Sequence, residues 1–196
     1  MLLLLSGALL AGCGPARSVF KKDTPRAAYE RRLDKEDLDK TPEGRQWRAA
    51  GAAALTAPVS ISLPYRHAGV FATDKARAVG LRFTAKQGQS LRIALDDRDA
   101  AALPLYAELF REGGPAPVLL HAAEPGAAGF RFDVEEAGTY VLRLQPGLRS
   151  GGRYSLSLGI GPTLAFPVAG PKAKAGSFWG AHRDGGARRR RGGRPR

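Results

Sequence analysis

The chain has 196 residues, of which 43% are hydrophobic and 25% are charged, and this balance is ordinary for a globular protein. Its 25 Gly and 14 Pro residues favour many turns over long helices. The formal net charge of +13 would suit a nucleic-acid-binding protein, but nine of the 31 Lys and Arg residues lie in residues 171–196, beside a single Asp. The rest of the chain is only mildly basic, which excludes a strongly basic folded domain.

The first residues, MLLLLSGALLAGC, form an apolar run that is too short to span a bilayer as a permanent helix. The stretch Leu10-Ala11-Gly12-Cys13 resembles the lipobox of bacterial lipoproteins. The resemblance implies that residues 1–12 are a signal peptide, that cleavage falls between Gly12 and Cys13, and that Cys13 is acylated. No Lys or Arg precedes the apolar run, which departs from the lipoprotein pattern. The alternative is an ordinary secretory signal with an incidental Cys.

Cys13 is the single cysteine, so the exported part has no second thiol for an internal disulfide. By the sorting rule known for well-studied Gram-negative lipoproteins, Gly14 in place of Asp implies the outer membrane. The expected location is therefore the periplasmic face of the outer membrane, with the protein held by its lipid anchor.

Residues 13–57 are predicted to form a polar helical tether. Thr24-Pro25 and Thr41-Pro42 are each typical of a helix start, with an N-cap followed by proline at the first helical position. The pattern predicts two short helices joined by a turn, and Trp47 is expected to dock the second helix onto the fold.

Residues 58–170 are predicted to form one β-domain, because the hydrophobic period changes from helical to alternating after Pro58. Turns rich in Gly and Pro separate short segments at a spacing of about ten residues, which is typical of a sandwich. The predicted strands are residues 59–63, 79–85, 90–95, 105–110, 117–122, 129–134, 139–145 and 153–160. The expected fold class is thus all-β: an antiparallel β-sandwich (jelly-roll-like) of seven to eight strands behind a short helical hairpin, with disordered termini.

The predicted core consists of the apolar residues on the inward face of these strands. A domain of about 110 residues buries enough surface to fold without a metal or a disulfide. The candidates are Phe83, Leu91, Ile93, Leu95, Tyr106, Leu109, Phe130, Phe132, Tyr140, Leu142, Leu144, Tyr154, Leu156 and Leu158.

The order of these segments resembles the bacterial pre-peptidase C-terminal (PPC-like) β-sandwich over about residues 59–160. The resemblance rests on FTAKQGQSLRIAL, LYAELF, FRFDVEEAGTYVLRLQP and RYSLSL. It implies a non-catalytic domain of the kind that is attached to secreted peptidases.

Few residues in the chain suggest chemistry. The three histidines, His67, His121 and His182, have no Ser or Cys beside them in a nucleophile-like turn. The run DDRD, from Asp96 to Asp99, offers clustered carboxylates to Ca²⁺, but it lacks the Gly and the trailing Glu of an EF-hand loop. A polar loop after a strand is the other interpretation, and the two stay open.

The segments Phe166-Pro167-Val168, Ser177–Gly180 and Arg183–Gly186 resemble the linker that leads into lysostaphin/LytM-type zinc endopeptidases. In that family an H-x-G-x-D motif follows, and a later H-x-H supplies the remaining zinc ligand and the catalytic His. Here Arg stands where the first His belongs, and His182 lies before that position. The resemblance implies that catalytic residues and metal ligands are absent from this chain, and that zinc belongs to a missing catalytic domain.

Residues 171–196 are therefore expected to be a linker and an Arg-rich disordered tail. With the bases CA restored in front, possible codons for residues 191–196 read in another frame encode His-Glu-Gly-Val-Asp-Leu, which favours an out-of-frame remnant of the peptidase domain. A genuine basic tail is the alternative, with electrostatic contact to anionic lipid or lipopolysaccharide rather than specific nucleic-acid binding. The candidate contacts are Arg188, Arg189, Arg190, Arg191, Arg194 and Arg196.

Taken together, these patterns predict a monomeric, non-catalytic envelope lipoprotein module, the N-terminal accessory domain of a peptidoglycan zinc endopeptidase. Its expected partners are the membrane, through the lipid anchor, and peptidoglycan or another envelope protein. The alternative is a stand-alone periplasmic binding or adhesion β-sandwich whose basic tail contacts anionic lipid or glycan.

Overall fold

A computed structural model describes residues 23–96 and 104–163 of the chain. Within these residues two helices precede nine strands. The helices are α1 (Pro25–Lys35) and α2 (Pro42–Thr56), with a 3₁₀ turn at Leu38–Lys40 between them. The strands are β1 (Val59–Ser60), β2 (Tyr65–Phe71), β3 (Val79–Ala85), β4 (Gln89–Asp96), β5 (Leu105–Arg111), β6 (Val118–Ala122), β7 (Gly129–Asp133), β8 (Gly138–Pro146) and β9 (Gly152–Pro162).

The strands form two sheets that enclose one hydrophobic core. One sheet has five strands in the order β1-β3-β8-β5-β6, and the other has four in the order β2-β9-β4-β7. The predicted fold class, an all-β sandwich behind a short helical part, is confirmed. One detail differs from the prediction, because the short strand β1 pairs in parallel with β3 while the other pairs are antiparallel.

Strand β2 is the element that the sequence pattern missed. It lies at the edge of the four-stranded sheet, and three consecutive residues, Arg66, His67 and Ala68, are exposed. The inward residues of this edge strand include His67 and Gly69 beside Tyr65 and Phe71, so the apolar alternation on which the prediction depends is weak. The strand predicted over residues 59–63 is shorter in the structure, where β1 ends at Ser60.

Most of the predicted core is confirmed as buried. Phe130 and Phe132 are only partly buried, because β7 is the other edge of its sheet. Tyr106 is buried on the other side of the five-stranded sheet, where its ring centroid lies 5.2 Å from that of Tyr29 in α1. The two-layer core thus has a second, smaller apolar layer beneath the helices.

Both helices start where the sequence predicts. The hydroxyl of Thr24 accepts a hydrogen bond from the Ala27 amide, and the hydroxyl of Thr41 accepts one from the Gly44 amide, each at 3.1 Å. Such caps satisfy amide groups that have no partner within the helix.

The helices contact the outer surface of the five-stranded sheet. Trp47 of α2 is 1% exposed, and its indole Nε1 donates to the carbonyl of Pro146 at 2.7 Å. The polar composition of α1 suggested a tether, but Leu33 is buried and the Tyr29 hydroxyl accepts a hydrogen bond from the Leu148 amide at 2.8 Å. Helix α1 therefore packs against the domain, although most of its residues are polar.

The domain boundaries at residues 12, 57 and 170 stay predictions.

A buried group of charges joins the helices to the sheet. Glu108 of β5 lies directly opposite Arg143 of β8, and Arg143 donates to one carboxylate oxygen of Glu108 from both Nε and Nη2. The same oxygen lies 3.9 Å from Nε of Arg26 in α1. Glu108, Arg143 and Arg26 are 4%, 7% and 7% exposed. Arg143 also donates to the carbonyl of Gly51, and Arg26 donates from Nε to the amide oxygen of Gln145 and from Nη1 to Glu30.

Each cation in this group has a partner that offsets its loss of water. Burial lowers the pKa of Arg26, and the nearby charge of Arg143 lowers it further, while Glu30 and Glu108 oppose that shift. Arg26 also lies over the Trp47 ring, with its guanidinium carbon 4.6 Å from the ring centroid. The carboxylate of Glu108 is therefore the anion that pairs with Arg143, and it also lies near Arg26, whose closer carboxylate is Glu30.

Replacing Glu108 should unfold the domain more readily. We expect Glu108→Gln to lower the free energy of unfolding by about 3–5 kcal/mol, because it leaves the buried Arg143 without its anion and removes one of the two carboxylates near Arg26. Urea denaturation followed by circular dichroism measures this. Glu112→Gln is the matched control, since Glu112 pairs with Arg82 in a half-exposed setting and should cost about 0–1 kcal/mol. Equal losses for the two variants would contradict the assignment.

Gly80 of β3 sets how closely α2 approaches the sheet. A Cβ at this position would lie 1.8 Å from the carbonyl oxygen of Ala54. We expect Gly80→Ala to lower the free energy of unfolding by about 1–3 kcal/mol, because the helix has to move outward. Gly138→Ala, on the paired strand β8 with nothing within 4 Å of its Cβ, should stay within about 0.5 kcal/mol of the parent. Thermal denaturation of the two variants distinguishes the outcomes.

Candidate binding face

The outward surface of the four-stranded sheet, which we call the open face, carries side chains from β2, β9, β4 and β7. Strand alternation turns Leu91, Ile93 and Leu95 into the core and the residues between them outward. The register then places outward residues in rows across the sheet: Ala68 beside Ser155 and Asp96, Arg66 beside Ser157 and Ala94, and Gly159 beside Arg92 and Arg131.

A shallow trough lies on the open face at the end of β4 that contains Asp96, and its volume is about 510 Å³. Small residues line much of it (Ala68, Ala94, Ser155 and Ser157), together with Arg66, His67, Leu95, Asp96 and Leu156. Small side chains on adjacent strands leave the backbone of the sheet accessible, so an extended chain can lie close to it. The serine hydroxyls provide hydrogen-bond donors within the trough.

Four exposed arginines lie on the open face: Arg66, which lines the trough, and Arg92, Arg131 and Arg153. None of them forms a hydrogen bond or an ion pair with any residue in 23–96 or 104–163. Arg31, Arg48 and Arg82 differ, since each contacts a carboxylate. Of the described arginines that have neither a hydrogen bond nor an ion pair, four therefore lie on the open face.

Two of these arginines repel each other. Arg92 of β4 lies directly opposite Arg131 of β7. Residues opposite each other in an antiparallel pair have Cβ atoms about 4.5–5.5 Å apart, and like charges in this arrangement are destabilising. An anion between the two guanidinium groups would remove that repulsion and could accept hydrogen bonds from both.

Two carboxylates also lie on the open face, so its charge is not uniform. Asp96 lines one end of the trough, and Asp133 lies opposite Ser90 at the other end of the sheet. The calcium hypothesis for Asp96–Asp99 stays a prediction, because Asp97, Arg98 and Asp99 lie outside the described residues. Among the described residues of the face, four arginines outnumber these two carboxylates.

The other predicted site residues are placed as follows. Gly12, Cys13 and His182 lie outside the described residues, as do all six arginines from Arg188 to Arg196. His67 is exposed on β2, with its ring centroid 6.3 Å from that of Tyr65, and His121 stacks on Phe130 at 4.3 Å. Among residues 23–96 and 104–163, no three His, Cys, Asp or Glu side chains are placed to hold a metal ion.

The open face was not predicted from the sequence, although the sequence does indicate that several of its arginines point away from the core. The alternating segments containing Arg92, Arg131 and Arg153 already place these residues on the polar side of their strands. Nothing in the sequence shows that these strands are neighbours or that Arg92 and Arg131 are opposite each other. That information is in the register.

In the described parts of the chain, no helix has both the length and the apolar character needed to cross a membrane.

No protein-family model matches this chain, and no curated protein matches it. Solved structures resemble it at low identity. They include PliG, a periplasmic inhibitor of g-type lysozyme, from Aeromonas hydrophila (13% identity, 53% of this chain and 96% of that chain, TM-score 0.42). The pre-peptidase C-terminal domain of Bacillus anthracis collagenase is another (15%, 50% and 91%, TM-score 0.43), as is Salmonella Typhimurium PliG (17%, 52% and 97%, TM-score 0.37). Scores of this size carry no statement about activity, ligand or partner.

Reversing one charge of the repelling pair should stabilise the fold. We expect Arg131→Glu to raise the free energy of unfolding by about 0.2–1 kcal/mol, because a cross-strand ion pair with Arg92 replaces a repulsion. The gain should shrink in 1 M salt, which screens exposed charges. Arg66→Glu, which lies opposite Ser157, is the control and should show a smaller gain. Urea denaturation at both salt concentrations tests this, and a lower stability of Arg131→Glu would argue against the paired arrangement.

Proposed function

We propose that this chain is a non-catalytic binding module of the bacterial cell envelope. In this proposal it is the N-terminal accessory part of a peptidoglycan zinc endopeptidase, anchored by lipid on Cys13 at the periplasmic face of the outer membrane. Its task is to hold the peptidase near the cell wall. The zinc ligands and the catalytic His would belong to the peptidase domain.

The observation that carries the proposal is that helices cover the outer surface of one sheet, while the outer surface of the other sheet is exposed. Helices α1 and α2 contact the outer surface of the five-stranded sheet through Trp47 and the Glu108 cluster. The outer surface of the four-stranded sheet carries an open trough and four arginines without a described partner. A covered face and an exposed, charged face favour a module that binds through one side.

The sequence supplies the link to a cell-wall enzyme. The PPC-like segments over residues 59–160 and the peptidase-linker segments Phe166-Pro167-Val168 and Arg183–Gly186 resemble parts of exported peptidases. The lipobox-like Leu10–Cys13 supports export and anchoring. These resemblances support the proposal together with the open face.

Sedimentation with purified peptidoglycan sacculi tests the proposal. We expect the mature chain, purified in detergent, to pellet with sacculi and to release no soluble wall fragments, with or without added zinc. Binding should weaken as salt increases, because exposed charges are screened. Vesicles of anionic lipid are the comparison. Protein that stays in the supernatant with sacculi but floats with vesicles would instead support the stand-alone lipoprotein with a basic tail. Release of wall fragments would contradict a non-catalytic role.

A further inference from the structure

The arginines of the open face define the chemistry of a ligand. A guanidinium group has a rigid fork of donors that matches a carboxylate or a phosphate. Several arginines elsewhere in the described structure satisfy this match internally: Arg143 is paired with Glu108, and Arg82 with Glu112. On the open face Arg66, Arg92, Arg131 and Arg153 have no described carboxylate partner. A ligand for this face therefore carries acidic groups.

The position of the arginines sets the spacing of those groups. Arg92 and Arg131 lie side by side at one side of the trough, and Arg66 lies on β2, two strands from β4. At about 4.8 Å between strands, the distance from β2 to β7 is about 14 Å. An extended peptide advances about 3.3 Å per residue, so about four residues cross the face. A short peptide with acidic groups at both ends of this span would reach Arg66 and the Arg92–Arg131 pair together.

The outward side chains between the arginines favour a peptide over a base or a sugar ring. Alanine and serine line most of the trough, with His67 on its β2 side, and the outward rows of the open face contain no Phe, Tyr or Trp among the described residues. Single-stranded nucleic acids bind largely by stacking bases on aromatic rings. A narrow backbone with carbonyl groups fits a trough of this kind, where Ser155 and Ser157 hydroxyls can donate to it.

We propose that the open face binds the free carboxylates of cell-wall peptides, with Arg92 and Arg131 gripping one carboxylate and Arg66 a second one along the same extended peptide. This assignment rests on the proposed function, because it names the part of the wall that the module binds. Binding removes the repulsion within the Arg92–Arg131 pair, so part of the affinity comes from relieving a strain already present in the free protein. Arg153, at the far end of the trough, increases the positive potential that attracts the peptide.

Chemically modified sacculi test the carboxylate assignment. Carbodiimide coupling to a neutral amine converts the free carboxylates of sacculi into amides and leaves the glycan strands in place. We expect the full mature chain to bind native sacculi at least about tenfold more tightly than amidated sacculi. Equal binding to the two preparations would overturn the carboxylate assignment while leaving the proposed function intact. Failure to bind either preparation would instead overturn the proposed function.

Variants locate the binding on the open face. The double variant Arg92→Gln/Arg131→Gln should weaken binding to native sacculi by about tenfold or more. Arg45→Gln/Arg149→Gln is the matched control, since it removes the same charge from two exposed arginines near α2. Its binding should stay within about twofold of the parent. Equal weakening by the two double variants would show that net charge, and not this face, governs binding.

A soluble acidic polymer tests the same assignment without sacculi and without amino-acid substitutions. We expect poly-glutamate, added to the full mature chain, to shift the backbone amide NMR signals of β4, β7 and β9 more than those of α1 and α2. Polyphosphate at equal charge should produce smaller shifts on these strands. Larger shifts with polyphosphate would replace the peptide by a phosphate polymer as the ligand. Shifts confined to the Arg188–Arg196 segment would overturn the proposal.

Discussion

The carboxylate of Glu108 is the group on which the arrangement of this domain depends. It accepts hydrogen bonds from Arg143 on the neighbouring strand and lies 3.9 Å from the guanidinium of Arg26 in α1. Buried charges are tolerated only when they are paired and fully hydrogen-bonded. If the helices separated from the sheet, Trp47 would be exposed and the contacts of Arg26 and Arg143 across this interface would be lost. This makes the helices part of the domain, although the composition of α1 is strongly polar.

The same constraint explains why the two outer surfaces differ. On the five-stranded sheet, Tyr106, Glu108, Arg143 and Gln145 point outward and are nevertheless buried, because the helices lie over them. On the four-stranded sheet, Arg92 and Arg131 point outward and are exposed. The buried charges on the five-stranded sheet are paired within the chain, whereas Arg92 and Arg131 on the four-stranded sheet are exposed to solvent. Binding through the second surface leaves the helix contacts of the first undisturbed.

Much of the fold could be predicted because its signals are local. Alternation over a few residues predicted eight strand positions, and Thr24 and Thr41 marked both helix starts. Strand β2 was missed because Arg66, His67 and Ala68 are all exposed and no alternation is visible there. Tyr106 was correctly predicted as buried but belongs to the layer beneath the helices. The open face was not predicted as a site. The sequence instead drew attention to Cys13 near one end of the chain and to the arginines of residues 188–196 at the other.

The sequence by itself determined the fold class, the helix caps and the inward and outward sides of most strands. These depend on residues within about one turn or one strand of each other. Only the tertiary structure decided which strands are neighbours, which face the helices cover and which arginines find a carboxylate. Glu108 and Arg143 are 35 residues apart, and Arg26 and Gln145 are 119 apart. The register that places Arg92 opposite Arg131 is likewise a property of the assembled sheet, because it arises from the packing of the whole core.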